Sequence, residues 1–102
     1  MVKTTREIDM IIREYKDELH KLGITTARIV LFGSYRNGTP REDSDIDLLV
    51  ISNDFARMNL RERLELLGVA AGRVFEPIEA LGYTPEEIEE KEGTFIEEIL
   101  TG

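Results

Sequence analysis

The sequence predicts a small α/β (α+β) domain, built on a short mixed β-sheet with helices packed largely on one face. Three observations carry that expectation. Two apolar runs, around 27–32 and 46–51, bracket a polar, glycine-bearing connection and read as neighbouring buried strands. Apolar residues recur at helical spacing before the first run and after the second. The chain has 102 residues, which fits a single domain spanning 1–102 with a modest core that needs no staples.

The first helix opens at Thr4, with Glu7 placed as in a capping box, and Ile8, Ile11, Ile12, Tyr15, Leu19 and Leu22 form its apolar face. Gly23 stops it. Arg6, Lys16, Asp17 and Lys21 point mostly outward, and His20, the only histidine, belongs to no metal or triad pattern and reads as a surface residue.

The first strand ends at Gly33-Ser34, where a residue without Cβ lets backbone N–H groups approach a ligand and cradle a phosphate. Residues 34–37 are expected to form a short helical turn whose N-terminus faces the bound phosphate, with Ser34 donating to a phosphate oxygen and Tyr35 packing. From Thr39 to Ser44 the chain reads as an exposed loop in which Arg41 is a solvated charge. The second strand starts at Asp45-Ile46-Asp47. Strand side chains alternate, so both carboxylates share one face, roughly 6 to 7 Å apart at Cβ, while Ile46 points to the core. That spacing lets one divalent cation be shared, and oxygen-only ligation favours Mg²⁺ or Mn²⁺. Singly, a Gly-Ser pair is a loop and a D-x-D a solvated strand end; together, at two adjacent strand ends, they define a site.

Asn53-Asp54 ends the second strand, and Leu60, Leu64, Leu67 and Ala71 mark a helix over about 57–72, with Arg61, Glu62, Arg63 and Glu65 on a solvated face. A third strand is expected over Val74 to Tyr83, with Pro77 confined to its start or edge. Thr84-Pro85-Glu86-Glu87 starts a further helix with a capping residue, a proline at the first position and acids in the first turn; Glu86 to Glu92 reads as a solvated acidic run. Phe95, Ile96, Ile99 and Leu100 outline a last amphipathic helix.

At Gly33-Ser34 and Ser44-Asp45-Ile46-Asp47 the chain resembles the minimal nucleotidyltransferase family of the polymerase-beta-like superfamily, whose signature is a G-S turn, a short helix and S-D-x-D leading a strand. The resemblance covers most of the chain, from the first helix to Thr84-Pro85-Glu86-Glu87. It departs at Arg36-Asn37-Gly38, where family members often carry Ala-Arg-Gly, so that the arginine stands one position early.

The resemblance implies a polymerase-beta palm-like fold and Mg²⁺-dependent transfer of a nucleoside monophosphate, AMP from ATP, to an acceptor hydroxyl. Gly33, Ser34, Arg36 and Ser44 would bind nucleotide, and Asp45 and Asp47 would hold two metal ions. It also implies a third carboxylate on the strand before the T-P-E-E-like turn, for which Glu79 and Glu76 compete. Glu79 is favoured: with Ile78 and Ala80 turned to the core it shares the opposite face with Leu81, whereas Pro77 leaves Glu76 before or at the strand's edge. Asp45, Asp47 and Glu79 are therefore both the catalytic and the metal-binding set. Members of this family often act as antitoxins encoded beside HEPN-domain ribonucleases, some adenylylating a tyrosine of the toxin; a HEPN toxin in a hetero-oligomer is the implied partner. The rival reading is a non-catalytic module that binds nucleotide or metal and neutralises its partner by occlusion.

Composition narrows the classes. A net charge of −8 argues against a broad nucleic-acid surface and a DNA-binding repressor, and suits a basic protein partner. It also makes nucleotide binding depend on a metal that offsets charge locally. The absence of cysteine excludes disulfides, thiolate catalysis and cysteine zinc sites. With 33% charged residues and neither Cys nor Gln, the composition leans towards a thermophile. No apolar run is long enough to cross a bilayer and no basic-then-apolar leader is present, so a soluble, cytoplasmic protein without membrane contact is expected.

Overall fold

The computed structural model describes residues 3–25, 28–33 and 45–90. Helix α1 (Thr5–Lys21) begins as its sequence predicts: the Glu7 amide donates to Thr4 Oγ1 at 3.2 Å and the Thr4 amide to Glu7 Oε1 at 3.2 Å. Ile8, Ile11, Tyr15 and Leu19 are buried and His20 is exposed. The helix closes where Gly23 adopts φ +99°, its amide donating to His20 O and that of Ile24 to Leu19 O.

Three strands follow, β1 (Arg28–Phe32), β2 (Ile46–Ile51) and β3 (Ile78–Tyr83), in the sheet order β1-β2-β3. The β1–β2 pair is antiparallel and the β2–β3 pair parallel, so the expected mixed sheet is present. A parallel pair needs a crossover. Here it is a 3₁₀ turn, Asn53–Arg57, followed by helix α2 (Leu60–Val74). Helix α3 (Pro85–Glu90) then leaves the end of β3.

Strand alternation sorts side chains into two clusters. Ile46, Leu48 and Val50, with Ile29, Leu31, Ile78 and Ala80, pack against Ile8, Ile11, Tyr15 and Leu19 of α1 and Leu67 and Ala70 of α2. The opposite face carries Leu49 and Ile51 with Val30, Phe32, Leu81, Tyr83 and Ile88 of α3. The two long helices thus share one face, as expected. The Tyr15 hydroxyl crosses the core and donates to Leu67 O at 3.0 Å, and burial pushes its pKa up, which keeps it a neutral donor.

Four expectations need correction. Helix α2 runs over Leu60–Val74, not 57–72: Asn59 caps it, accepting from the Glu62 amide at 2.8 Å while Glu62 returns a bond to the Asn59 amide at 3.0 Å. Val74 is therefore the last residue of a helix, and β3 starts only at Ile78, after Pro77; between them Phe75 is left-handed at φ +60°. The third correction concerns the face of α2. Leu60 and Leu64 are 63% and 54% exposed, whereas Arg63 is only 5% exposed, so the buried stripe is Arg63, Leu67 and Ala70.

A buried guanidinium must find partners. Arg63 donates to the carbonyls of Met58 at 3.1 Å, Phe55 at 2.8 Å and Gly82 at 3.2 Å, and to both carboxylate oxygens of Glu87 at 2.6 and 3.1 Å. Glu87 also closes a box with Thr84, accepting from its amide at 2.7 Å. Glu87 is thus withdrawn from the acidic run read as solvated, while Glu86, Glu89 and Glu90 are exposed as expected. Residues 34–44, including Tyr35 and Arg41, and 91–102, including Phe95, Ile96, Ile99 and Leu100, lie outside the described residues. Among the described residues no helix is long and apolar enough to cross a membrane.

Candidate active site

The site forms where β1 ends and β2 and β3 begin. Ile46 donates its amide to Pro77 O at 2.8 Å, which starts the parallel ladder in the register Ile46↔Ile78, Asp47↔Glu79. A slip of one residue would turn Glu79 to the other face. In the observed register Phe32, Asp47 and Glu79 stand in one row across the sheet, on the face that carries Leu49 and Leu81.

Asp47 and Glu79 are therefore direct neighbours on adjacent strands, with their carboxyl groups on the same face of the sheet. Burial raises the Asp47 pKa from its ordinary value; the charges of Glu79 and then Asp45, and the close approach of the Glu79 carboxyl, push it further. Two carboxylates over an apolar floor, with a third acid near enough to be felt, make a locus of negative charge that no basic side chain offsets among the described residues. Glu76 precedes the strand and pairs with Lys3 at 3.2 Å.

Gly33, directly after β1, has φ +74°, a conformation that favours glycine. A Cβ built there would lie 2.9 Å from Cγ and 3.2 Å from Cβ of Asp47. The space expected to admit a ligand phosphate is thus held open first for the Asp47 side chain, and a larger residue at 33 would displace it. Ser34, Arg36 and Ser44, expected to bind nucleotide, lie outside the described residues.

The donor chemistry fits a hard divalent cation: all oxygen, anionic, and with one carboxyl whose ionisation a cation would favour. Asp45, Asp47 and Glu79 do not by themselves form a closed cage, since among the described residues no group of three or more acidic, His or Cys side chains is gathered to hold a metal. Mg²⁺ does not require one. It binds through one or two carboxylates, completing its shell with substrate phosphates and water.

Sequence reading missed Arg63 and Glu87. The available signal was the spacing Arg63, Leu67, Ala70, which lies on one helical stripe as well as the Leu60, Leu64, Leu67 series does.

A family model described as a nucleotidyltransferase domain matches residues 12–100. Three proteins of Methanocaldococcus jannaschii, each provisionally named a protein adenylyltransferase, are similar in sequence. One is 45% identical over 49 residues, 48% of this chain and 56% of that protein. The others are 39% and 33% identical over 66 residues, covering 65% and 64% of this chain and 65% of each relative. The matched stretch is thus about three-fifths of the relatives' own length. The crystal structure of a provisionally named nucleotidyltransferase from Sulfolobus solfataricus shares the fold, with a TM-score of 0.55 and 22% identity over 88% of this chain and 84% of that one. With the Asp47–Glu79 pair at the heads of parallel strands and the family model spanning most of its length, this chain belongs to the nucleotidyltransferase domain family.

Proposed function

We propose that this chain transfers AMP from Mg²⁺-bound ATP to a hydroxyl of a partner protein, a tyrosine of a HEPN-domain toxin, and so serves as the antitoxin of the pair. The observation that carries the reading is the register Asp47↔Glu79, which converts two ordinary strand acids into one charged site beside Gly33. The relatives' names as protein adenylyltransferases support AMP and a protein acceptor.

In this reaction the acceptor oxygen forms a bond to the α-phosphorus, the bond from that phosphorus to the pyrophosphate oxygen breaks, and the hydroxyl proton is released. Bound divalent cations would supply Lewis-acid charge at the phosphates and the attacking oxygen. Asp45 and Asp47 would hold them. Glu79, fixed beside Asp47 by the ladder, orients the acceptor hydroxyl and receives its proton. Leu49, Leu81 and Phe32 form the apolar surround in which these charges act strongly. The rest is alignment, since phosphoryl chemistry asks the protein mainly for position and charge.

The test is to co-express the chain with the protein encoded by the neighbouring gene and to weigh that protein. One or more added AMP masses with the wild type and none with Asp47→Asn is the expected result. An unmodified partner, still neutralised in a tight complex, would replace transfer by occlusion.

A further inference from the structure

Helix α2 was expected to bury Leu60 and Leu64, yet both face solvent, at 63% and 54% exposure, because Arg63 takes the inward position. They are one helical turn apart and stand together. Between them and the end of β3 lies a cleft of about 130 Å³, lined by Leu60, Arg63, Leu64, Leu81, Gly82 and Tyr83. Single exposed leucines need no explanation, but two flanking an apolar cleft form a patch of the kind that binds partners.

Charge around the cleft selects the occupant. Arg63, on its inner wall, is committed to three carbonyls and Glu87, so it offers no free positive charge. Arg61 is paired with Glu65 at 3.1 Å. Helix α3, anchored to the cleft wall through that same Arg63–Glu87 pair, adds exposed Glu86, Glu89 and Glu90 with no base in its last turn. An apolar slot beside an acidic helix, on a chain of net charge −8, fits a segment with Leu-like anchors on one side and Lys or Arg on the other.

We propose that the cleft between α2 and β3 docks a basic amphipathic segment of a partner protein, with Leu60 and Leu64 gripping its apolar side and Glu86, Glu89 and Glu90 facing its cations. This surface lies towards the end of β3 away from Glu79 and shares only Leu81 with the apolar surround of the active site, so the proposal stands whichever group the active site transfers.

The probe is a fluorescein-labelled peptide of about 14 residues, roughly four helical turns, with Leu and Lys in amphipathic order; its twin carries Glu for Lys. Anisotropy at physiological salt should show saturable binding of the Lys peptide and none of the Glu peptide. Leu60→Ser/Leu64→Ser should weaken binding at least tenfold without lowering the melting temperature. Glu86→Gln/Glu89→Gln/Glu90→Gln should weaken it a few-fold and flatten its salt dependence. Met10→Ser removes an exposed apolar side chain beside Arg6, Asp9 and Arg13 and should leave affinity unchanged. Failure of the Lys peptide to saturate, undiminished affinity of the double-serine variant, or an equal loss with Met10→Ser would each overturn the proposal.

Discussion

The two ends of β3 hold carboxylates in opposite circumstances. At its start Glu79 faces Asp47, two acids stand side by side over apolar side chains, and the Asp47 pKa is raised. At its end Glu87 receives the fork of Arg63, and the hydrogen bond from that guanidinium lowers the Glu87 pKa. Among the described residues, the first end has no balancing cation and the second has one. Charge left uncompensated by the fold needs a ligand to balance it, whereas charge balanced internally is available only to hold the fold together.

Breaking the balanced end should have the largest effect. Arg63→Ala leaves Glu87 without its cation and strands the carbonyls of Phe55, Met58 and Gly82, a loss of about 3 kcal/mol or more. Chemical denaturation should report it; a change below about 0.5 kcal/mol would mean that the clasp is not formed in solution. Next comes Asp47→Asn, which keeps shape but removes charge, and should reduce transfer about 100-fold or more, ~2.7 kcal/mol of barrier. The same variant should melt higher than the wild type in chelator, because it relieves repulsion; few other losses of activity would come with a gain of stability.

A smaller effect separates the two glutamates. Glu79→Gln should slow transfer about tenfold, ~1.4 kcal/mol, while Glu76→Gln, which loses only the pair with Lys3, should leave the rate intact. Steady-state rates on folded variants decide it, and the reverse ranking would move the third carboxylate to Glu76. The smallest effect is on stability against pH in metal-free buffer. Asp47, with its pKa raised by folding, contributes stability that is present below its unfolded pKa and lost as pH rises through its folded value. Glu87, with its pKa lowered, contributes stability that is present above its unfolded pKa and lost as pH falls through its folded value. The wild type should therefore lose ground to Asp47→Asn as pH climbs through the carboxylate range, and added Mg²⁺ should recover it. Each kcal/mol corresponds to about 4–8 °C of melting temperature in a domain of this size. A pH-independent difference between the two proteins would refute the raised pKa.

The amino-acid order by itself determined whatever depends on neighbours along the chain. The capping boxes at Thr4 and Thr84, the stop at Gly23, the alternation of β2 and the side of β3 on which Glu79 stands all follow from local periodicity and backbone preference. So does the placing of the candidate carboxylates Asp45, Asp47 and Glu79 at strand heads. Only the tertiary structure decided which of them meet, because the Asp47↔Glu79 register is set by pairing across a crossover of two dozen or so residues, and no local pattern encodes that. It also decided that Gly33 makes room for Asp47, and that α2 turns Arg63 inward and leaves Leu60 and Leu64 outside. Hydrophobic periodicity assumes that burial follows apolarity. A buried arginine violates that assumption wherever distant backbone carbonyls and one glutamate converge to satisfy it, and such convergence exists only once the chain has folded.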